Sequence, residues 1–283
     1  MLSAAAFAHC AALVRAADRD RFIATLFAPA ERRSALHALY AFKIEIARVR
    51  EVVRQPLAGE IRLQWWSDLL DGTARGDAQA NPVALALTET IARYALPPDL
   101  LRALIEARRL DLYDEPMAGR AELESYAAGS SPILPAARIL SGGDDPGIGP
   151  LAHHAGIASE LARLLSAFPL HAPRAQLFVP TEVLQRHGCD RADLAQGRAT
   201  PALRAALGEL RRLAREHLAQ AGALLATSPQ AIVPALLPLA PVGATLKAMD
   251  GRTYDPFVPI SLAPWRRQWL IWRAARDPER MFR

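Results

Sequence analysis

Residues 156–180, GIASELARLLSAFPLHAPRAQLFVP, constrain this chain more than any other stretch. Ile157, Leu161, Leu164, Leu165 and Phe168 recur at three- and four-residue steps, which lays them on one face of an amphipathic helix. Pro169 and Pro173 follow, so the helix is predicted to run from Gly156 to Phe168 and to be left through the prolines. An apolar face of this kind needs cover from other elements, and the rest of the chain offers helices.

The clearest of these is Glu31 to Arg54, where Leu39, Phe42, Ile46, Val49 and Val53 form a second stripe. Helices are also expected over Ser3–Ala17, a short segment ending before Pro29, Gly59–Asp68, Pro82–Tyr94, a segment started by Pro97-Pro98-Asp99, and Thr200–Ala226. A short capped helix is expected after Thr181, ending at Gly188, and a last one from Pro264. His153 and His154 are expected on the surface at the start of the central helix. Strand patterns do not exceed four residues. The fold class is therefore all-α, and 283 residues suit one large core, read as a single domain over 1–283.

Apolar residues at 51% and charged residues at 22% are ordinary for a globular chain. A net charge of +5 and a pI near 9.7 would suit an anionic partner. The basic residues are nearly all arginine, only Lys43 and Lys247 being lysines, and no nucleic-acid motif accompanies them, so no nucleic-acid partner is expected. Cys10 and Cys189 make neither a metal spacing nor a disulfide framework, which fits a reducing compartment. The first residues lack a basic stretch ahead of their apolar run, unlike a signal peptide. Ser228–Leu246 is about as long as a membrane span, but Pro229, Pro234, Pro238 and Pro241 break it, and it reads as a kinked buried helix pair. The expected location is cytoplasmic or peripheral to the inner membrane.

Two stretches carry a family resemblance. Gly156, Ala158, Leu161, Leu165, Ala172, Arg174 and Pro180 fall in register with G-x-A-x-Q-L-T-N-x-L-R-D-V-x-E-D followed by G-R-x-Y-L-P. Tyr40, Ala41 and Phe42 open a segment similar to Y-A-F-C-R-x-x-D-D-x-x-D. Together they resemble the signatures of the squalene/phytoene synthase family, and the likeness runs from about Asp18 to Arg276. It implies an isoprenoid synthase-type helical bundle around a central, largely apolar cavity. Active members join two prenyl diphosphates head to head, with magnesium held between two facing acidic motifs.

The acids are the part that is missing. Ala47 and Arg48 stand where the first motif has its aspartate pair, with Glu51 at its last position, while Ala167 and His171 replace the second pair. Alanine has no ligand atom, arginine repels a cation, and histidine suits magnesium poorly. Phe22 alone survives from a serine-rich S-x-S-F element, and the charged segment with Asp20 and Arg21 ahead of it reads as an N-cap and a solvated charge cluster. Asp111 and its acidic neighbours Asp114 and Glu115 read as solvated acids at a helix end, with a metal site as the alternative. The resemblance makes Tyr40, Arg48, Glu51, Arg163, His171 and Arg174 the ligand-binding candidates. It leaves no catalytic residue and no metal ligand, and implies no cofactor, magnesium entering only if the chain is an active transferase.

With Tyr126-Ala-Ala-Gly-Ser-Ser131, the acid-poor helix ending Phe168-Pro-Leu-His171 and the Trp265-Arg-Arg-Gln-Trp269 tail, the chain resembles a divergent branch of the family that includes a respiratory complex I assembly factor. Two readings follow. In the first, the bundle is kept without catalysis and assists assembly of respiratory complex I at a membrane surface, with a complex subunit as partner and a lipid or prenyl ligand in the cavity. In the second, the chain is a prenyltransferase in which acids such as Glu51, Asp111 or Glu160 replace the lost motif. Trp265, Trp269 and Trp272 share one helical face flanked by Arg266, Arg267, Arg273 and Arg276. A core stripe is the plainer reading of these tryptophans, and peripheral membrane contact the other.

Overall fold

The structure is a computed structural model that describes residues 2–53, 55–74, 80–113, 115–143, 145–174, 176, 178–190, 193–194, 196–251 and 253–282. Its described residues contain helices and no strand. In chain order they are α1 (Leu2–Ala17), α2 (Arg19–Thr25), α3 (Ala30–Val52), α4 (Pro56–Leu70), α5 (Pro82–Tyr94), α6 (Pro98–Leu110), α7 (Arg120–Gly129) and α8 (Ile133–Ser141). There follow α9 (Ile148–His171), α10 (Thr181–Arg186), α11 (Pro201–Leu225), α12 (Val233–Leu236), α13 (Val242–Ala248) and α14 (Pro264–Arg276), with a last 3-10 turn over Pro278–Phe282.

Local chemistry sets many of these ends. Asn81 caps α5 by accepting from the backbone N–H groups of Val83 and Ala84, and Thr200 caps α11 through Leu203 N–H. Proline opens α4, α5, α6, α11 and α14, where a missing N–H costs nothing. The expected cap on α10 is not there, since Pro180 occupies that position and offers no side-chain acceptor. Arg54 and Asp114 lie outside the described residues.

The central helix is longer than its apolar stripe. It starts eight residues before Gly156, because Asp145 organises the preceding turn by accepting from Gly147 N–H at 2.8 Å. His153 and His154 therefore lie inside the helix rather than at its start, His153 exposed and His154 half-buried. Pro169 does not end the helix, which continues to His171. So near the C-terminus proline forfeits one intrahelical bond, from the Leu165 carbonyl, while its fixed φ remains helical.

The α9 helix lies at the centre, packed along α11 and covered by α7, α8 and α13, while α1, α3 and α5 form a second group. Leu161, Leu164, Leu165 and Phe168 are buried as the stripe requires, each contributing ~1.5–3 kcal/mol through area removed from water. Gly156 is needed by a close approach: a Cβ there would stand 2.8 Å from the Ser131 Cβ ahead of α8. On α4, Trp66 is buried edge-on to Phe42, whereas Trp65 is half-buried beside Ile61 and Arg109.

The proline-broken segment folds into short pieces, a 3-10 turn, α12, a second 3-10 turn and α13, rather than a helix pair. Gln230–Ala248 is long and apolar enough to cross a membrane, and 67% of its 18-residue apolar window is buried inside the fold. The tryptophans of α14 are not core. Ile271 and Ala274 hold that helix to the body of the protein, and Trp265, Trp269 and Trp272 point the other way.

Candidate functional site

Charge, rather than apolar surface, gathers between α2, α3, α6 and α9. Asp18 caps α2, accepting from Arg21 N–H at 3.1 Å, and its other oxygen binds the Arg21 guanidinium. The charged segment does supply a cap, through Asp18, but the pair is half-buried rather than solvated. The Arg21 guanidinium lies 5.6 Å from the centre of the Tyr40 ring on α3. Burial pushes the Tyr40 phenol up to about 12, against the pull of Arg21.

One turn beyond Tyr40 stands Lys43. Burial pushes its amine down to about 7, and Arg21 adds to the shift, while Glu160 and Asp18 oppose it. Glu160 on α9 is only 4% exposed. Its Oε1 accepts from Arg163 Nε at 2.8 Å and from Arg163 Nη2 at 2.6 Å, and Arg108 Nη2 lies 3.7 Å away. Burial alone would raise the Glu160 carboxyl, but Arg163, Lys43 and Arg108 outweigh it and hold the group well below the usual carboxylate range.

Arg108 links this pair to a further acid. Its Nη1 is 2.8 Å from Asp111 Oδ2, and its guanidinium sits 5.3 Å from the Tyr126 ring centre. Tyr126 donates its hydroxyl proton to Asp111 Oδ1 at 2.8 Å, and Gln176 Nε2 donates to the Asp111 carbonyl at 3.2 Å. Asp111 is thus a half-buried acid engaged by Arg108 and Tyr126, not a solvated one.

The cluster faces a cavity of about 290 Å³ bounded by Asp18, Arg21, Glu160, Arg163, Thr245 and Arg267. Arg163 is 40% exposed because it opens onto this space. Arg267 reaches it from α14, held by Asp20 through Nε at 2.9 Å. A separate apolar pocket, lined by Leu161, Leu164, Phe168, His171, Phe178 and Leu210, has only about 20 Å³ of free volume, room for about one water. Burial, with Arg163 and Arg174 adding to it, pushes the His171 imidazole down to about 4.

Of the expected site residues, Tyr40 and Arg163 join the cluster and His171 lines the apolar pocket beside it. Arg174 is exposed past the end of α9. Arg48 and Glu51 are exposed and enter none of these bonds. At about 100° per residue, Tyr40, Lys43 and Ala47 share the inward face of α3, Arg48 is turned well away from it, and Glu51 stands on it one turn too late, at the helix end. Lys43, Arg108 and Tyr126 were not expected as members. The signal for Lys43 was its place at the edge of the apolar stripe of α3, in a helix buried on both sides of that edge at Leu39 and Tyr40.

The donors do not suit magnesium. Ala47 and Ala167 have no ligand atom, Glu160 is engaged by Arg163 and Arg108, and Asp111 by Arg108 and Tyr126. Among the described residues, no three histidine, cysteine or acidic side chains converge to hold a metal ion. What the arrangement offers is guanidinium groups facing an open space, which can meet phosphate or carboxylate oxygens without a metal.

The family model for squalene/phytoene synthase matches residues 14–273. The human protein "NADH dehydrogenase (ubiquinone) complex I, assembly factor 6" is 28% identical over 252 residues, covering 89% of this chain and 76% of that protein. A 15-cis-phytoene synthase of Synechococcus elongatus is 26% identical, with 93% of this chain and 90% of that one covered. Among solved structures, a dehydrosqualene synthase in complex with ligand superposes with a TM-score of 0.80 at 16% identity, over 98% of this chain and 97% of that one. A squalene synthase from Alicyclobacillus acidocaldarius gives 0.71 at 21% identity, over 87% and 93%. The all-α fold is therefore that of the isoprenoid synthases, and the chain belongs to the squalene/phytoene synthase family.

Proposed function

We propose that this chain is a non-catalytic member of its family that assists the assembly of respiratory complex I. The observation that carries this reading is the Glu160–Arg163 pair, backed by Lys43 and Arg108. In the family frame Glu160 and Arg163 stand at the glutamine and asparagine of the second signature, and the acids beyond them are Ala167 and His171. Ionising a prenyl diphosphate requires a metal to neutralise charge building on the leaving group. Here a fixed guanidinium occupies that region and is itself neutralised by Glu160. The human, bovine and fruit-fly relatives named as complex I assembly factor 6 or its homologue support the same reading.

The cavity keeps a role in this proposal as a binding site. Arg21, Arg163 and Arg267 face a space large enough for a polar headgroup, whereas the apolar pocket is too small for a prenyl chain. The ligand expected is an anionic lipid headgroup or a prenyl diphosphate held by its phosphates, bound but not converted.

Two measurements test the reading. Deleting the gene in its native host should lower the amount of assembled complex I, and the intact chain should restore it. Purified protein given farnesyl or geranylgeranyl diphosphate with magnesium should release no diphosphate. Magnesium-dependent release that Glu51→Gln or Asp111→Asn abolishes would establish the prenyltransferase reading instead.

A further inference from the structure

We propose that α14 is an interfacial helix that docks the protein on an anionic phospholipid surface. The inference goes beyond the assembly role and does not depend on it.

The geometry of the helix divides it in two. At about 100° per residue, Trp265, Trp269 and Trp272 fall within one narrow sector, and Ile271 and Ala274 fall nearly opposite. The structure agrees: Ile271 and Ala274 are fully buried, while the three indoles are 70%, 47% and 42% exposed. Indoles spend free energy in water that an apolar–polar boundary returns, which is why tryptophan collects at membrane interfaces. The three rings span about two turns, or roughly 10 Å along the axis.

Charge decides the occupant. The helix, PWRRQWLIWRAAR, contains no acidic residue. Arg267 turns inward to Asp20, and the other arginines lie on or beside the indole sector. The Arg273 guanidinium sits 4.3 Å from the Trp269 ring centre and that of Arg276 sits 3.7 Å from Trp272. Cation–π contact fixes these guanidinium groups at the level of the rings without satisfying their N–H donors. Among the described residues no carboxylate forms an ion pair with Arg266, Arg273 or Arg276. Indoles with guanidinium groups at the same height match the boundary where lipid phosphates meet acyl chains.

Flotation of the full chain with vesicles tests the proposal. Vesicles of equal parts phosphatidylcholine and phosphatidylglycerol should carry the protein, with a blue shift in tryptophan emission, and raised salt should release it. Phosphatidylcholine alone should carry much less. Arg266→Glu with Arg273→Glu should lower partition by roughly 30-fold or more, from about fivefold per basic residue near an anionic surface. Trp265→Ser with Trp272→Ser should abolish the emission shift, and because these indoles are exposed both variants should keep the parent melting temperature. Equal binding to neutral vesicles, no binding to anionic ones, or binding that the folded variants retain would overturn the proposal. So would binding of an acidic peptide through the same residues without any binding to vesicles.

Discussion

His154 on α9 and His217 on α11 meet Nδ1 to Nδ1 at 2.8 Å. The Nε2 of His217 lies 3.0 Å from Glu124 Oε1 on α7, so that nitrogen carries the proton donated to the carboxylate. A neutral His217 then presents a bare Nδ1, and His154 Nδ1–H is the donor across the pair. Three helices of the core are tied by one relay of defined direction.

That relay weakens in acid. Burial lowers the His154 pKa, and His217 and His153 lower it further. The folded state therefore takes up its proton at lower pH than the unfolded chain does. Stability is whole above the ordinary histidine value of about 6.5 and declines as pH falls below it. Urea unfolding should show stability falling between about pH 7 and pH 5, and His154→Asn should remove part of that fall. A pH-independent midpoint in the parent protein would contradict the assignment.

Glu160 should be the most sensitive acid in the protein. Substituting Glu160→Gln keeps its size but leaves Arg163, Arg108 and Lys43 facing one another without their anion. The expected cost is ~3 kcal/mol by urea unfolding, at the low end for a broken buried pair because Arg163 reaches the cavity. Arg163→Met made in the same chain should recover part of it, giving a double-mutant coupling well above zero.

Lys43 titrates in the same sense as His154 but at higher pH. Its folded pKa of about 7 lies below the ordinary lysine value, so between the two the unfolded chain binds more protons. Stability should rise as pH increases from about 7 toward about 10. Lys43→Met should flatten that rise and stabilise the protein at neutral pH by roughly 1 kcal/mol, as removal of a costly buried charge does. Unfolding midpoints at neutral and alkaline pH distinguish these outcomes from a simple loss of packing.

Restoring aspartate at Ala47, Arg48, Ala167 and His171 together should not create a magnesium site. Lys43 and Arg163 would remain beside the new carboxylates and pair with them in place of the metal. Calorimetric titration with magnesium should show heat only when Lys43→Gln and Arg163→Asn are added. Binding by the four-fold variant alone would show that the cluster does not control the site.

Gly156→Ala should cost ~1–3 kcal/mol, because its new methyl group would stand inside contact distance of Ser131 and push α9 from the start of α8. Ser131→Gly in the same chain should reduce the loss.

The helices were legible because their signals are local. The stripes of α3 and α9, proline at first positions and the Asn81 cap each act within a few residues. The missing metal acids could also be read directly from Ala47, Arg48, Ala167 and His171. What replaced them could not. Asp18, Lys43, Arg108 and Glu160 come from four separate elements, and whether a charge is buried depends on which distant partner reaches it. Asp111 looked solvated for the same reason, since Arg108 is near in sequence but Tyr126 and Gln176 are not. The tryptophans of α14 misled in the other direction: a periodic apolar face announces that something covers it, without saying whether that cover is the protein itself.

The Glu160–Arg163 pair also bears on time. In a metal-dependent synthase the positive charge arrives with each substrate and departs with each product, so the cavity must alternate between charged and discharged states. A guanidinium attached to the chain cannot leave. The Arg163 charge is present from folding onward and its counter-charge, Glu160, is built in beside it, so neither has to be delivered or carried away between events.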